Sequence, residues 1–183
     1  VINKATPTLS VTNSPVTYNG TGQAATVSGS VAGTVSSILT GGAATQTNAG
    51  TYAVTADFTP TDTTNYNSLT GASAGNFVIN KANPTTTGIT GYTGTYDGAA
   101  HGASGTVTGV LGETLSGLDL GATFTNAPGG TANWTFTDVT GNYNNASGSV
   151  GIVINKATPT LSVTNSPVTY NGTGQAAAVS GSV

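Results

Sequence analysis

The chain of 183 residues contains no cysteine and no methionine, and it has one histidine and one tryptophan. Without cysteine there are no disulfides, and a lone histidine has no second ligand with which to build a zinc site. Charge is scarce as well: three Lys, five Asp and one Glu give a net charge of −3. So weak and acidic a field does not attract phosphate backbones, which argues against nucleic-acid binding. No apolar run approaches the roughly 20 residues needed to span a bilayer. No window places apolar residues at i, i+3, i+4 and i+7 free of Gly or Pro, so helices are not expected. No secretory signal is visible, as expected for an internal window of a longer chain. The lack of cysteine fits a surface protein that crosses a membrane unfolded.

What the chain has in abundance is threonine (37) and glycine (27). β-Branched residues with frequent glycine punctuation favour strands and turns. Disorder calls for low hydrophobicity with high net charge, and neither holds here. The clearest strand is 51–58, where Tyr52, Val54, Ala56 and Phe58 share one face and Thr51, Ala53, Thr55 and Asp57 the other. Its counterpart 131–137 puts Ala132, Trp134 and Phe136 on one face. Such alternation is the mark of a half-buried antiparallel strand. Leu9–Val11, Val16–Tyr18, Val27 with Val31, Ile38–Leu39 and Phe77–Ile79 add shorter strands. Asn19-Gly20 and Asp97-Gly98 are tight-turn pairs, because both residue types tolerate positive φ. About seven short strands per ~75 residues predict an all-β fold of small antiparallel β-sandwiches.

The strongest internal feature is repetition. Residues 153–183 copy residues 1–31 with one change, Thr26 to Ala178. Within that long period lies an older one. VINKA starts at Val1, Val78 and Val153, and each copy leads into x-Pro-Thr at Pro7, Pro84 and Pro159. Tyr18-Asn19-Gly20, Tyr96-Asp97-Gly98 and Tyr170-Asn171-Gly172 follow in the same order, and Asn65-Tyr66-Asn67 and Asn142-Tyr143-Asn144 come late in the two full units. The expected organisation is residues 1–4 as the last strand of a preceding repeat, 5–81 as repeat A, 82–156 as a diverged repeat B, and 157–183 as the opening strands of the next A. Fixed-period similarity of this kind signals a bead-like array. The end pieces are expected to be completed by adjoining sequence or by another molecule.

This order of marks resembles the bacterial MBG and YDG repeats: x-Pro-Thr, Tyr-(Asn/Asp)-Gly, then Gly50-Thr51-Tyr52-Ala53-Val54-Thr55-Ala56, Asn-Tyr-Asn and Val-Ile-Asn-Lys-Ala. Residues 5–81 follow the pattern well; residues 82–156 depart from it, with Ala132 where Tyr52 stands. The resemblance implies glycine-rich, immunoglobulin-like modules of large surface or secreted proteins, without a catalytic activity to carry over. The sandwiches are then expected as tandem beads on a rod. At the joints, Lys4, Lys81 and Lys156 end each unit and Pro7, Pro84 and Pro159 stand at the entry to the next, so a short proline-stiffened connection should limit bending.

The reactive side chains have structural readings. Asp97, His101 and Ser104 lie close in sequence, but a turn aspartate and a solvent-facing histidine are expected rather than a triad, which needs an oxyanion hole and a shaped pocket. Asp57, Asp62 and Asn65 lack the Asp-x-Asp-x-Asp pattern of a calcium loop. The three lysines read as charged strand-edge residues that discourage aggregation, with a lysine–asparagine crosslink as the sharper alternative. Tyr92, Tyr96, Trp134 and Tyr143 form a possible sugar-stacking platform, although Trp134, alternating with Phe136, reads as core. No catalytic residue, metal or cofactor is expected. Tyr18, Tyr52, Val54, Tyr66 and Tyr143 are expected as turn and core residues. The expected function is structural: a repeat of an extracellular bacterial surface stalk, such as an adhesin's, or of a self-assembling filament, its partners being further copies of itself. The alternative is a polysaccharide-binding module.

Overall fold

The computed structural model describes residues 1–182. Among the described residues there are twelve strands and no helix. They are β1 (Leu9–Val11), β2 (Val16–Thr17), β3 (Val27–Gly29), β4 (Gly33–Thr40), β5 (Gly50–Pro60), β6 (Leu69–Asn80), β7 (Tyr92–Thr95), β8 (Leu118–Asp119), β9 (Gly129–Phe136), β10 (Ala146–Asn155), β11 (Thr160–Val163) and β12 (Val179–Ser182). They form two four-stranded sheets, β2-β6-β5-β4 and β7-β10-β9-β8, and two ribbons, β1-β3 and β11-β12. The chain divides into two compact units. One holds Val1–Gly88, Thr106–Asp119 and Thr135–Ser147; the other holds Ile89–Gly105, Leu120–Trp134 and the chain from Gly148 on. This division by contacts does not follow the repeat boundaries read from the sequence.

In the first unit, β5 is built as its alternation requires. Val54, Ala56 and Phe58 are buried, while Thr55 and Asp57 between them are only partly buried. Opposite them, β6 buries Ala74, Phe77 and Ile79. The ribbon β1-β3 lays Leu9, Val11 and Val27 over this face, joined by Val16, Tyr18 and Ala25. A ribbon over a sheet with apolar side chains between them is a two-layer arrangement compatible with a β-sandwich. Gly29 lets the layers meet, because a Cβ there would stand 2.5 Å from the Phe58 ring. The rest of this unit buries Val107, Leu115, Phe136 and Tyr143.

One expectation is corrected. The sheets are not purely antiparallel: β2 runs parallel to β6, and β7 parallel to β10. The reason is a layer switch. β1 belongs to the ribbon and β2 to the other sheet, so the chain crosses between layers and arrives at the edge running in the direction of β6. Val1–Lys4 is exposed and outside the strands here, whereas the same residues at Val78–Asn80 and Val153–Asn155 end β6 and β10. An extended segment becomes a strand only where a neighbour takes its backbone hydrogen bonds.

In the second unit, Ala132, Ile152 and Ile154 form the core, covered by Tyr92, Ala103, Phe124, Ala127 and Val150. Trp134 is 8% exposed and lies across Gly148, whose Cβ position falls 2.5 Å from the indole. The ribbon β11-β12 has the register of β1-β3, with Leu161 opposite Gly181 as Leu9 is opposite Gly29. All eight of its residues are exposed.

Candidate functional site

The residues with the most specific geometry gather where repeat A meets the Asn-Tyr-Asn end of repeat B, inside the first unit. The Asn-Tyr-Asn end of repeat B is first fixed within that repeat, by the alanine of VINKA. Ala82 N donates to Asn142 O at 2.9 Å and Asn144 N donates to Ala82 O at 2.9 Å. Repeat A makes the same clamp at its own start: Ala5 N to Asn65 O at 2.8 Å, and Asn67 N to Ala5 O at 2.9 Å. Side chains reinforce both, Asn144 Nδ2 donating to Asn83 Oδ1 and Asn67 Nδ2 to Thr6 Oγ1. The repeated VINKA and Asn-Tyr-Asn marks are therefore two halves of one hydrogen-bonded clasp.

An aspartate shapes the loop that presents each tyrosine. Asp62 accepts from the Thr64 and Asn65 amides and from Asn65 Nδ2. Asp138 accepts from the Thr140 and Tyr143 amides. The Asn65 side chain, then its amide, hold the Asp62 carboxyl below the usual range. For Asp138, burial pushes the carboxyl up, but the Tyr143 amide, the Thr140 amide and hydroxyl and the Gly141 amide together outweigh it and the balance is downward.

Tyr143 is the centre of the joint and is 1% exposed. Its hydroxyl donates to Glu113 Oε1 at 2.5 Å and accepts from Val110 N at 3.0 Å. Burial, and then the bond to Glu113, pushes the phenol up to about 12. The same bond holds the Glu113 carboxyl below its ordinary value. The Tyr18 ring of repeat A meets the Tyr143 ring edge-on, with centroids 5.4 Å apart and planes at 79°. Such a pair is worth about 0.5–1.5 kcal/mol beyond the area it buries. Beside it, Asn142 Oδ1 accepts from Ala49 N at 2.8 Å and Asn142 Nδ2 donates to Asn48 Oδ1 at 3.3 Å. Leu111 sits over Gly20, where a Cβ would approach within 2.7 Å of its side chain. Gly20 has φ 78°, and the Asn19 side chain accepts from the Thr21 amide to close the turn. The turn of A is thus held open for Leu111 of B by a residue with no side chain.

The other expected residues lie elsewhere. Tyr52 is half-buried, its hydroxyl donating to Asn48 O at 2.8 Å, and Val54 is in the core. Tyr66 is half-buried and lines a hollow of about 510 Å³ with Val31, Ala32, Thr61 and Asp62. Pro7 is buried, Pro84 half-buried and Pro159 exposed. Lys4, Lys81 and Lys156 are all exposed, Lys4 Nζ donating to Thr63 O at 2.7 Å. A lysine–asparagine crosslink requires a buried lysine, so this exposure removes its premise.

His101 is corrected. Its side chain is only 16% exposed, and the ring stacks on Tyr92 at 3.8 Å with planes 6° apart. Its Nε2 meets Asp97 Oδ1 at 2.9 Å, and this bond, with the Ala99 amide, lowers the Asp97 carboxyl. A flat apolar partner and an adjacent acceptor outcompete water for the imidazole. Ser104 takes no part, its hydroxyl pairing with Thr90 Oγ1. Tyr96, 39% exposed, and Gly98, with φ 80°, complete this turn of B. Asp57 and Asp62 are likewise engaged separately. The Gly71 amide first, then the Ser37 side chain, lower the Asp57 carboxyl, so Asp57 binds backbone irregularities on both neighbouring strands. No group of acidic or histidine side chains that could hold a metal occurs among the described residues. Of the four rings of the sugar platform, Trp134 and Tyr143 are buried.

Sequence reasoning missed Glu113, Leu111 and the Asn48-Ala49 edge. Glu113 is the one glutamate of the chain, which was the available signal; Leu111 and Asn48 carried none. Comparison of the chain with protein-family models, with curated proteins and with solved structures finds no match. No helix among the described residues is long and apolar enough to cross a membrane.

Proposed function

We propose that this chain is a structural repeat of an extracellular bacterial stalk or self-assembling filament, built of tandem immunoglobulin-like β-sandwiches of the MBG/YDG type. The observation that carries the reading is the joint. Consecutive repeats are held by the edge-on Tyr18–Tyr143 pair, by the buried Asn142 bonded to Asn48 and Ala49, and by Leu111 over Gly20, while the alanine clasp closes each repeat on itself. A joint with that many directional contacts resists rotation between neighbours, as a load-bearing array requires. The clasp recurs at Ala5 and Tyr66, and there the tyrosine borders an open hollow instead of a second ring. That is the surface a preceding unit would cover if the same joint were repeated along an array.

Electron microscopy of native surface material tests the reading. Strings or fibres with an axial period of one A–B pair are the expected result. A glycan-array signal that disappears on Tyr96→Ala, in material without any fibrous form, would overturn it in favour of a polysaccharide-binding module.

A further inference from the structure

The ribbon β11-β12 and the turn between its strands present Leu161, Val163, Val168, Tyr170 and Val179 to solvent, at 53–88% exposure. Their sequence twins in residues 5–31 are Leu9, Val11, Val16, Tyr18 and Val27, which pack against the core of Val54, Ala74, Phe77 and Ile79. The chain therefore carries two copies of one segment and shows where one of them seats. The seat also supplies specific polar contacts: Tyr18 N donates to Asn80 O, Val78 N to Ser14 Oγ, Ala25 N to Thr40 Oγ1, and Gln23 and Gln46 exchange backbone bonds. Each partner recurs in the exposed copy, as Tyr170, Ser166, Ala177 and Gln175. The one difference is neutral to the seat. Thr26 Oγ1 bonds Thr12 Oγ1 across the ribbon, on its exposed side, and Ala178 loses only that bond.

We propose that residues 157–182 seat on the β4–β6 face of a second copy of this chain, in place of that copy's own residues 5–30. The exchange replaces each contact to that face with an identical one and uncovers Leu9, Val11, Val16, Tyr18 and Val27 as it covers their twins, so the two arrangements differ little in contact energy and high protein concentration favours the intermolecular one. The donor segment and the acceptor face are different surfaces, so the contact is heterologous and adds copies head to tail. A net charge of −3 offers little repulsion against such growth. The inference deepens the structural reading above by naming the partner and the surface, and rests on that reading for its biological use.

The test uses the full chain carrying Asn80→Cys and Thr169→Cys. Thr17 is the ladder neighbour of Asn80 in the parallel pair β2–β6, and Thr169 is its twin. The chain has no other cysteine. After refolding at high concentration and mild oxidation, the expected result is a ladder of disulfide-linked oligomers on a non-reducing gel, with a parallel rise in mass by light scattering. A chain that stays monomeric, or that closes its disulfide within one molecule, overturns the proposal. Leu161→Asp with Val163→Asp is the second variant. Both positions are exposed, so the melting temperature should hold while association is lost; association equal to wild type overturns the proposal. Glycan binding without fibres would sink the structural reading and leave these crosslinks untouched, so the two can fail separately.

Discussion

Replacing Tyr143 with Phe removes one oxygen from the joint and leaves its ring, and the edge-on contact to Tyr18, in place. The lost hydroxyl bond goes to a carboxylate at 2.5 Å, a class of bond with a net value of about 1.5–3 kcal/mol. Glu113 is exposed, so water re-solvates its oxygen and moves the loss toward the low end. Against that, Val110 N–H loses its acceptor at 3.0 Å. The two together predict a destabilisation of about 1–2 kcal/mol, read as a lower urea midpoint at unchanged m-value. The pH dependence is the sharper reading. The Tyr143 phenol is pushed from 10.0 up to about 12 in the fold, so its contribution is complete below pH 10 and is lost as pH rises toward 12. Full linkage over that interval amounts to about 2.7 kcal/mol, an upper limit given partial access of water. The Phe variant has no such group. The gap between wild type and variant should therefore be widest near neutrality and close through the alkaline range, whatever the other tyrosines do in both proteins. A gap below about 0.5 kcal/mol at neutral pH, or one that stays constant up to pH 12, would refute the role given to the hydroxyl.

Three further outcomes are expected. Asn142→Ala leaves the Ala49 amide without its acceptor; it should cost about 1–3 kcal/mol and speed hydrogen exchange at Ala49 specifically. Gly29→Ala drives a methyl to 2.5 Å from the buried Phe58 ring and should cost about 1–3 kcal/mol, whereas Gly174→Ala, with nothing within 4 Å, should be near neutral by thermal melting. The carboxyls of Asp57, Asp62, Asp97, Glu113 and Asp138 all lie below their unfolded values of 3.8 for Asp and 4.5 for Glu. Their stabilisation is present above those values and is lost as pH falls through the folded ones, so urea midpoints should hold from neutrality down to about pH 4.5 and drop below it. Midpoints that decline evenly from pH 7 would contradict that.

Much of the β structure was legible in the chain. The faces of 51–58 and 131–137 came from alternation, which is visible in any eight residues. The turns at Asn19-Gly20 and Asp97-Gly98 were marked by residue types that tolerate positive φ, and Gly20 and Gly98 adopt it. Other features were invisible for a physical reason. Asp57 reads as a free oxygen ligand until the irregularities at Ser37 and Gly71 bring donors to it from both neighbouring strands. His101 reads as exposed until Tyr92, nine residues earlier, stacks on it. Leu111 and Asn48 have no local pattern at all, since their partners are about 90 residues away.

By itself, the sequence determined the strand class and the period of its repeated marks, because these depend on alternation, turn chemistry and repetition along the chain. Only the tertiary structure decided which strands are neighbours, that β2 and β7 join their sheets in parallel, and that VINKA and Asn-Tyr-Asn are halves of one clasp. Only it buried Tyr143 against Tyr18 and Glu113. Partner choice is non-local: a backbone amide or phenol can bond many groups of similar strength, and packing of the whole unit selects among them. The same distinction separates the twin segments, since residues 5–31 and 153–183 are nearly identical in sequence, yet Leu9 lies against a core and Leu161 lies in water.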